Sequence, residues 1–138
     1  MMISTKGRYA LRVMLDLADH GTGGYIPLKD LARRQEISVK YLENILASLS
    51  RAGLVDAARG KGGGYRLSKP AADYSAGEII RLAEGSLTSV ACLKDEKKGC
   101  EKAGHCRALP LWQGLDQVID QYLDSISLSD LQTMDGEG

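Results

Sequence analysis

Residues 59–64 read Arg-Gly-Lys-Gly-Gly-Gly, a run with too little side chain to build a core, and what flanks it leaves few architectures open. On either side lie short β-type segments, Leu54-Val55-Asp56-Ala57-Ala58 and Tyr65-Arg66-Leu67-Ser68. The unit therefore reads as strand, glycine-rich turn, strand. Just before it come two short amphipathic helices. The first runs from Leu28 to Arg34 and buries Leu28, Leu31 and Ala32. A turn at Gln35-Glu36-Ile37 leads to Ser38, a good N-cap, and to a second helix with an apolar stripe of Leu42, Ile45, Leu46 and Leu49 that Gly53 ends. Two helices around a tight turn, followed by a β-ribbon, predict a mainly α winged helix-turn-helix with a small β-wing. The wing tip is cationic and nearly bare. Its backbone can approach a polyanion closely, while Arg59 or Lys61 reaches a minor groove or grips phosphates.

A glycine-rich segment with a lysine also raises nucleotide binding. A phosphate-cradling Walker loop needs its lysine after the glycines and a helix to follow, whereas Lys61 precedes Gly62, Gly63 and Gly64 and a β-type segment follows. That reading fits poorly.

The rest of the chain completes the domain. Residues 5–20 form an amphipathic helix on Ala10, Val13, Met14, Leu17 and Ala18, stopped by Gly21, Gly23 and Gly24. Ser75 opens another short helix through Glu84, with Ile79, Ile80 and Ala83 inward. From Val90 to Cys106 the periodicity is lost. It resumes at Leu109 with Trp112, Leu115, Ile119, Tyr122 and Ile126, flanked by Val118 and Leu123, to about Ser125, and residues 127–131 add a further turn. So long a helix exceeds what a small domain can cover; a two-fold partner helix is the economical solution, with Trp112 as a dimer-core anchor, and a helix packed on its own domain is the alternative. The expected division is a DNA-binding domain over 1–86, a cysteine-bearing loop over 87–107, and a dimerisation helix with tail over 108–138.

At 138 residues with 43% hydrophobic content, the chain supports one modest core. Its apolar runs are too short for a membrane span, and its first residues lack a secretory h-region, so a cytoplasmic location with reduced cysteines is expected. The formal net charge of zero conceals an asymmetry: residues 1–70 carry twelve Lys and Arg against six Asp and Glu, and residues 71–138 carry six against twelve. The basic half is the one with the wing, as an anion-binding surface requires.

Lys6-Gly7-Arg8-Tyr9-Ala10, Ile37-Ser38-Val39-Lys40-Tyr41-Leu42-Glu43, Ala52-Gly53-Leu54-Val55 and the wing run through Tyr65 together resemble the Rrf-type winged-helix regulators. That family includes the iron-sulfur biogenesis regulator IscR, the nitric oxide sensor NsrR and the cysteine-metabolism regulator CymR. The resemblance extends to Pro110-Leu111-Trp112 and Leu128-Ser129-Asp130-Leu131. It implies a non-enzymatic transcriptional regulator, homodimeric through the C-terminal helix, on a pseudo-palindromic DNA operator. By the same resemblance Glu43 is the base-reading carboxylate, suited to accept from a cytosine amino group. Arg59 is the minor-groove arginine. Lys40, Tyr41 and Asn44 touch bases or backbone, and Lys6, Arg8 and Lys61 touch phosphates.

Cys92, Cys100 and Cys106 cluster within one segment, which in a reducing compartment favours soft-metal or redox chemistry over a structural disulfide. The resemblance implies iron-sulfur ligation by these three, in a two-iron or four-iron cluster. The gap from Cys92 to Cys100 is longer than is usual in the family. The family's fourth-ligand positions fall on Leu109 and Arg8, neither of which ligates iron, and His105 adjoins Cys106. An incompletely protein-ligated cluster would be open to small molecules, as a sensor requires. Thiol redox chemistry, an inert loop and zinc stay open beside it. So does a cofactor-free regulator or a protein-interaction module. No spacing of acid, base and nucleophile supports an enzyme.

Overall fold

The structure, a computed structural model, describes residues 3–21, 23–85 and 107–134. Six helices and one two-stranded ribbon make up these residues: α1 (Thr5–His20), α2 (Leu28–Gln35), α3 (Val39–Arg51), β1 (Val55–Ala58), β2 (Gly64–Leu67), a 3-10 turn at Ala71–Asp73, α4 (Ala76–Glu84), α5 (Leu109–Ser125) and α6 (Leu128–Thr133). The expected winged helix-turn-helix and long C-terminal helix are both present. Helix-forming periodicity and the serine caps explain most of the boundaries. Ser38 Oγ accepts from Tyr41 N, Ser75 Oγ from Glu78 N, and Ser127 with Asp130 forms a complete capping box.

One core gathers the elements. Ala10, Val13, Met14 and Leu17 of α1 meet Leu31 and Ala32 of α2, Leu42, Ile45, Leu46 and Leu49 of α3, and Val55, Tyr74 and Ile79. Leu128 of α6 is fully buried in the same cluster, so the chain returns to α1 after α5 and closes the core with a residue from its far end. The return is held by backbone pairing, with Ala76 N donating to Ile126 O (2.8 Å) and Leu128 N to Tyr74 O (3.0 Å).

Three polar fixtures hold this packing in register. Asp16 of α1 is only 4% exposed, and its carboxylate accepts from Arg34 Nη2 (2.6 Å) and Nε (2.9 Å) and from Gln35 Nε2 (2.8 Å), which joins α1 to the last turn of α2. Tyr74 is buried with its hydroxyl donating to Leu54 O (2.6 Å) and accepting from Ser68 N (2.9 Å) and Lys69 N (3.2 Å), so one side chain ties the entry of the wing to its exit. Glu84, at the end of α4, accepts from Ser4 N (2.7 Å), Ser4 Oγ (2.7 Å) and Gly7 N (3.1 Å). Here a carboxylate from another helix serves the orphan donors of α1, where anionic charge is favoured.

Burial raises the pKa of Asp16, but hydrogen bonds from Arg34 and Gln35, with the attraction of Arg34 and His20, outweigh it and hold the carboxyl below its ordinary value of 3.8. A depressed pKa gives stability that is fully present above the unfolded value and is lost as pH falls through the lower folded value. Asp16→Asn should cost roughly 2–3 kcal/mol at neutral pH, since it leaves Arg34 without its counter-charge. In acid titrations of thermal stability below about pH 4 the variant should lack the wild-type decline that belongs to this group.

Candidate nucleic-acid interface

The exposed edge of α3 is set by the same periodicity that buries its other side. Lys40, Glu43 and Asn44 are exposed and Val39 is 43% exposed, while Leu42, Ile45, Leu46 and Leu49 point into the core. Tyr41 differs from its neighbours: it is half-buried, packed on the core, with its ring edge-on to Tyr9 of α1 at 6.0 Å and 86°. The guanidinium of Arg12 lies 4.9 Å from the Tyr9 ring centre and donates to Gln35 Oε1 (3.0 Å). The start of α3 is thus braced against α1 by the edge-on contact of Tyr41 with Tyr9, whose ring Arg12 of the same helix covers while also bonding the end of α2.

The wing stands beside it. β1 and β2 pair antiparallel from Val55 opposite Leu67 to Ala58 opposite Gly64, and the turn carries Arg59 and Lys61, both exposed. Gly60 (φ +88°) and Gly62 (φ +81°) lie in left-handed backbone that disfavours side chains. Gly64 is required by close approach. Ile26 exchanges both backbone hydrogen bonds with Tyr65 (2.8 and 2.9 Å), and a Cβ on Gly64 would collide with Ile26 O. This bridge fastens the ribbon to the segment that leads into α2, so the wing and the helix-turn-helix share a base.

Between them runs an open cleft. Its walls are Pro27, Leu28 and Lys29 of α2 and its approach, Val39 and Glu43 of α3, and Ala58, Gly60, Gly63, Gly64 and Tyr65 of the wing. Glu43 therefore lines the same cleft as the glycines of the wing turn and the cation Lys29, while Lys40, Arg59 and Lys61 are exposed and adjoin lining residues in sequence. Lys29 and Val39 were not singled out from the sequence. Val39 stands one helical turn before Glu43, and that spacing was the available signal. A convex helix edge and a bare cationic turn on one side of a domain suit a grooved polyanion.

Comparison with known proteins decides the family. Rrf2, by its description an iron-dependent transcriptional regulator family, matches residues 3–134. The chain belongs to the Rrf2 family. The HTH-type transcriptional regulator IscR of Aliivibrio salmonicida is 40% identical over 131 residues, covering 95% of this chain and 77% of that protein. CymR, the global cysteine regulator of B. subtilis, superposes with a TM-score of 0.78 at 38% identity, over 98% of this chain and 99% of that one. T. potens IscR superposes at 0.72 with 38% identity, over 95% of this chain and 85% of that one. This Rrf2 protein is a transcriptional regulator with a DNA-binding winged helix, and its relatives are named as regulators, not enzymes.

Cys92, Cys100 and Cys106 lie outside the described residues, as does His105. The other two positions raised as ligand sites are described. Arg8 is exposed on α1 and donates to Thr5 Oγ1 (3.2 Å), and Leu109 is the half-buried first residue of α5. Neither offers a donor to a metal. No described helix is long and apolar enough to cross a membrane.

Proposed function

We propose that this Rrf2 regulator reads a pseudo-palindromic duplex operator as a cytoplasmic homodimer, and that Cys92, Cys100 and Cys106 hold an iron-sulfur cluster whose state tunes operator affinity. The observation that carries the DNA-reading half is the shared cleft, in which Glu43 of α3 and Lys29 of α2 line the same walls as the glycines of the wing turn, with exposed Lys40, Arg59 and Lys61 adjoining lining residues in sequence. Glu43 accepts from a base amino group in the major groove. Lys40 and Asn44 flank it on bases or backbone, Arg59 enters the neighbouring minor groove, and Lys61 neutralises a phosphate. Tyr41, half-buried on Tyr9, acts mainly by holding the helix start in place.

The homodimer is supported by α5. No residue of this helix is buried within one chain. Leu111, Leu115, Val118 and Tyr122 fall on one face and are 42–63% exposed, while Trp112, Ile119, Leu123 and Ile126 are half-buried. A self-complementary apolar row on a long helix fits a two-fold copy of itself. Residues 1–86, 87–107 and 108–138 then serve as the reading domain, the sensing segment and the joining segment.

Three thiolates are the soft donors iron-sulfur clusters take, and with Arg8 and Leu109 non-ligating, a fourth position is left to a non-protein ligand or to a residue elsewhere. When bound, such a cluster supplies a redox-active centre open to ligand exchange. The chain's own share is to furnish the thiolates and to keep a cation, Arg8, on the surface of α1. A regulator without cofactor is the second reading, favoured by those same two residues.

Fluorescence anisotropy on promoter duplexes separates the parts of the proposal. Glu43→Ala should reduce discrimination against a mismatched half-site about tenfold, the loss of one good base contact. Lys61→Ala should weaken all duplexes alike and lower the salt slope by about one. Val118→Glu should convert dimer to monomer in sedimentation without loss of helical signal, since the residue is 62% exposed in one chain. Anaerobically purified protein should contain iron and sulfide, and its operator affinity should change several-fold once the metal is removed. Equal affinities would leave a regulator that its cysteines do not switch.

A further inference from the structure

Within one chain α5 packs chiefly beside α4, and a polar clasp marks the seam. Arg81 Nη1 of α4 lies 3.4 Å from Asp120 Oδ1, and Nη2 donates to Asp124 Oδ1 in a short contact. One guanidinium thus bridges two carboxylates a helical turn apart on α5. Gly77, one turn before Arg81 on the same side of α4, is buried, and a Cβ there would collide with Asp124 Oδ1 and come within 3.0–3.1 Å of both Arg81 Nη atoms. The space a side chain would take is filled by the ion pair.

The backbone bonds at Ile126 and Leu128 hold the C-terminal end of α5, and the clasp adds a directional hold one to two turns further up the helix. Sliding α5 by one turn would carry Asp124 away from Gly77 and leave Arg81 with a single partner, and a planar fork between two carboxylates resists rotation as well as translation. On its other sides α4 is locked to the DNA-binding fold by Ile79, buried in the common core, and by the grip of Glu84 on the N-terminus of α1. The angle between α4 and α5 is therefore the angle between the DNA-binding fold and the long helix.

We propose that Arg81, seated over Gly77 and joined to Asp120 and Asp124, is a positioning residue that sets the separation of the two recognition helices, and so the half-site spacing the protein accepts. This rests on the reading that two copies join through α5. In such a dimer each DNA-binding fold lies beyond its own clasp, so a small rotation at the seam moves α3 along the duplex, where half-site spacing is a matter of geometry.

The test uses the full chain. A duplex is selected by the wild-type protein from a random-sequence library, then resynthesised with one or two base pairs inserted or deleted between its half-sites. Affinity is read by fluorescence anisotropy and oligomeric state by sedimentation. The wild-type protein should favour one spacing sharply. Arg81→Ala should remain dimeric, lose about fivefold at that spacing, and bind the altered spacings nearly as well as the original. Arg81→Lys, which keeps the charge without the fork, should lie between. Should Arg81→Ala fail to fold, the double variant Asp120→Asn with Asp124→Asn removes the same clasp from the side of α5. A dimeric variant that keeps the wild-type spacing profile, including one weakened equally at every spacing, overturns the inference alone. A wild-type protein that is monomeric, or that selects DNA without paired half-sites, overturns the dimer reading and the inference with it.

Discussion

The pair between Asp16 and Arg34 is the constraint on which the reading surface depends. A carboxylate with 2% of its side chain exposed would be costly alone, yet hydrogen bonds from Arg34 and Gln35 meet both of its oxygens. The pair fixes the end of α2 on the middle of α1. From there the backbone turns through Glu36 in the left-handed region (φ 54°), with Ile37 N donating to Ala32 O (3.2 Å), and α3 begins at the Ser38 cap. The direction of α3 follows from where α2 ends, so the pair between Asp16 and Arg34 bears on how Lys40, Glu43 and Asn44 are presented.

The wing follows the same logic, with a fixed base and a bare tip. Tyr74 holds Leu54, Ser68 and Lys69 together where the ribbon starts and ends, and the bridge between Ile26 and Tyr65 attaches it beside α2. Beyond these anchors the turn has Arg59 and Lys61 as its reaching side chains, and Gly63 N closes it on Gly60 O (3.0 Å). Positive backbone angles at Gly60 and Gly62 let the turn be tight, and the lack of side chains lets two cations stand clear of the domain. Rigidity below and exposure above present Arg59 and Lys61 to solvent on a turn whose base is already ordered.

Much of this was legible in the residue pattern because local rules and tertiary packing agree. The stripes on α1 to α4 predicted their buried sides, Ser38 and Ser75 predicted helix starts, and the glycine run predicted the ribbon. What escaped the pattern depends on contacts between distant residues. Tyr74 stands in a polar connecting segment where its hydroxyl had no visible partner, and Leu128 belongs to a short helix whose burial depends on the chain returning to α1. Asp16 sits among Val13, Leu17 and the other inward positions of α1, and a charge on that arc was the available signal for a buried partner such as Arg34. On α5 the sequence offered Trp112, Leu115, Ile119, Tyr122 and Ile126 as a single stripe. In the fold, Leu115 and Tyr122 join Leu111 and Val118 on the exposed face, while Trp112, Ile119 and Ile126 are half-buried. A 3.6-residue period identifies apolar positions but cannot tell which of two adjoining faces meets the helix's own domain.

These contacts give α4 an importance its nine residues would not suggest. Its first turn holds Gly77 against Asp124, its middle buries Ile79 and Ile80, its second turn presents Arg81 to α5, and its last residue caps α1. The segment that carries Cys92, Cys100 and Cys106 departs from Gly85, immediately after that cap. Glu84 binds three donors at the start of the helix that also bears Tyr9 and Asp16, the two side chains that brace α3 and α2. A displacement of α4 by a fraction of an ångström would therefore be met at once by the cap on α1 and the clasp on α5, both made of directional hydrogen bonds to carboxylates. Such bonds weaken steeply with misalignment, so α4 holds the long helix and the reading helices in a defined relation to one another.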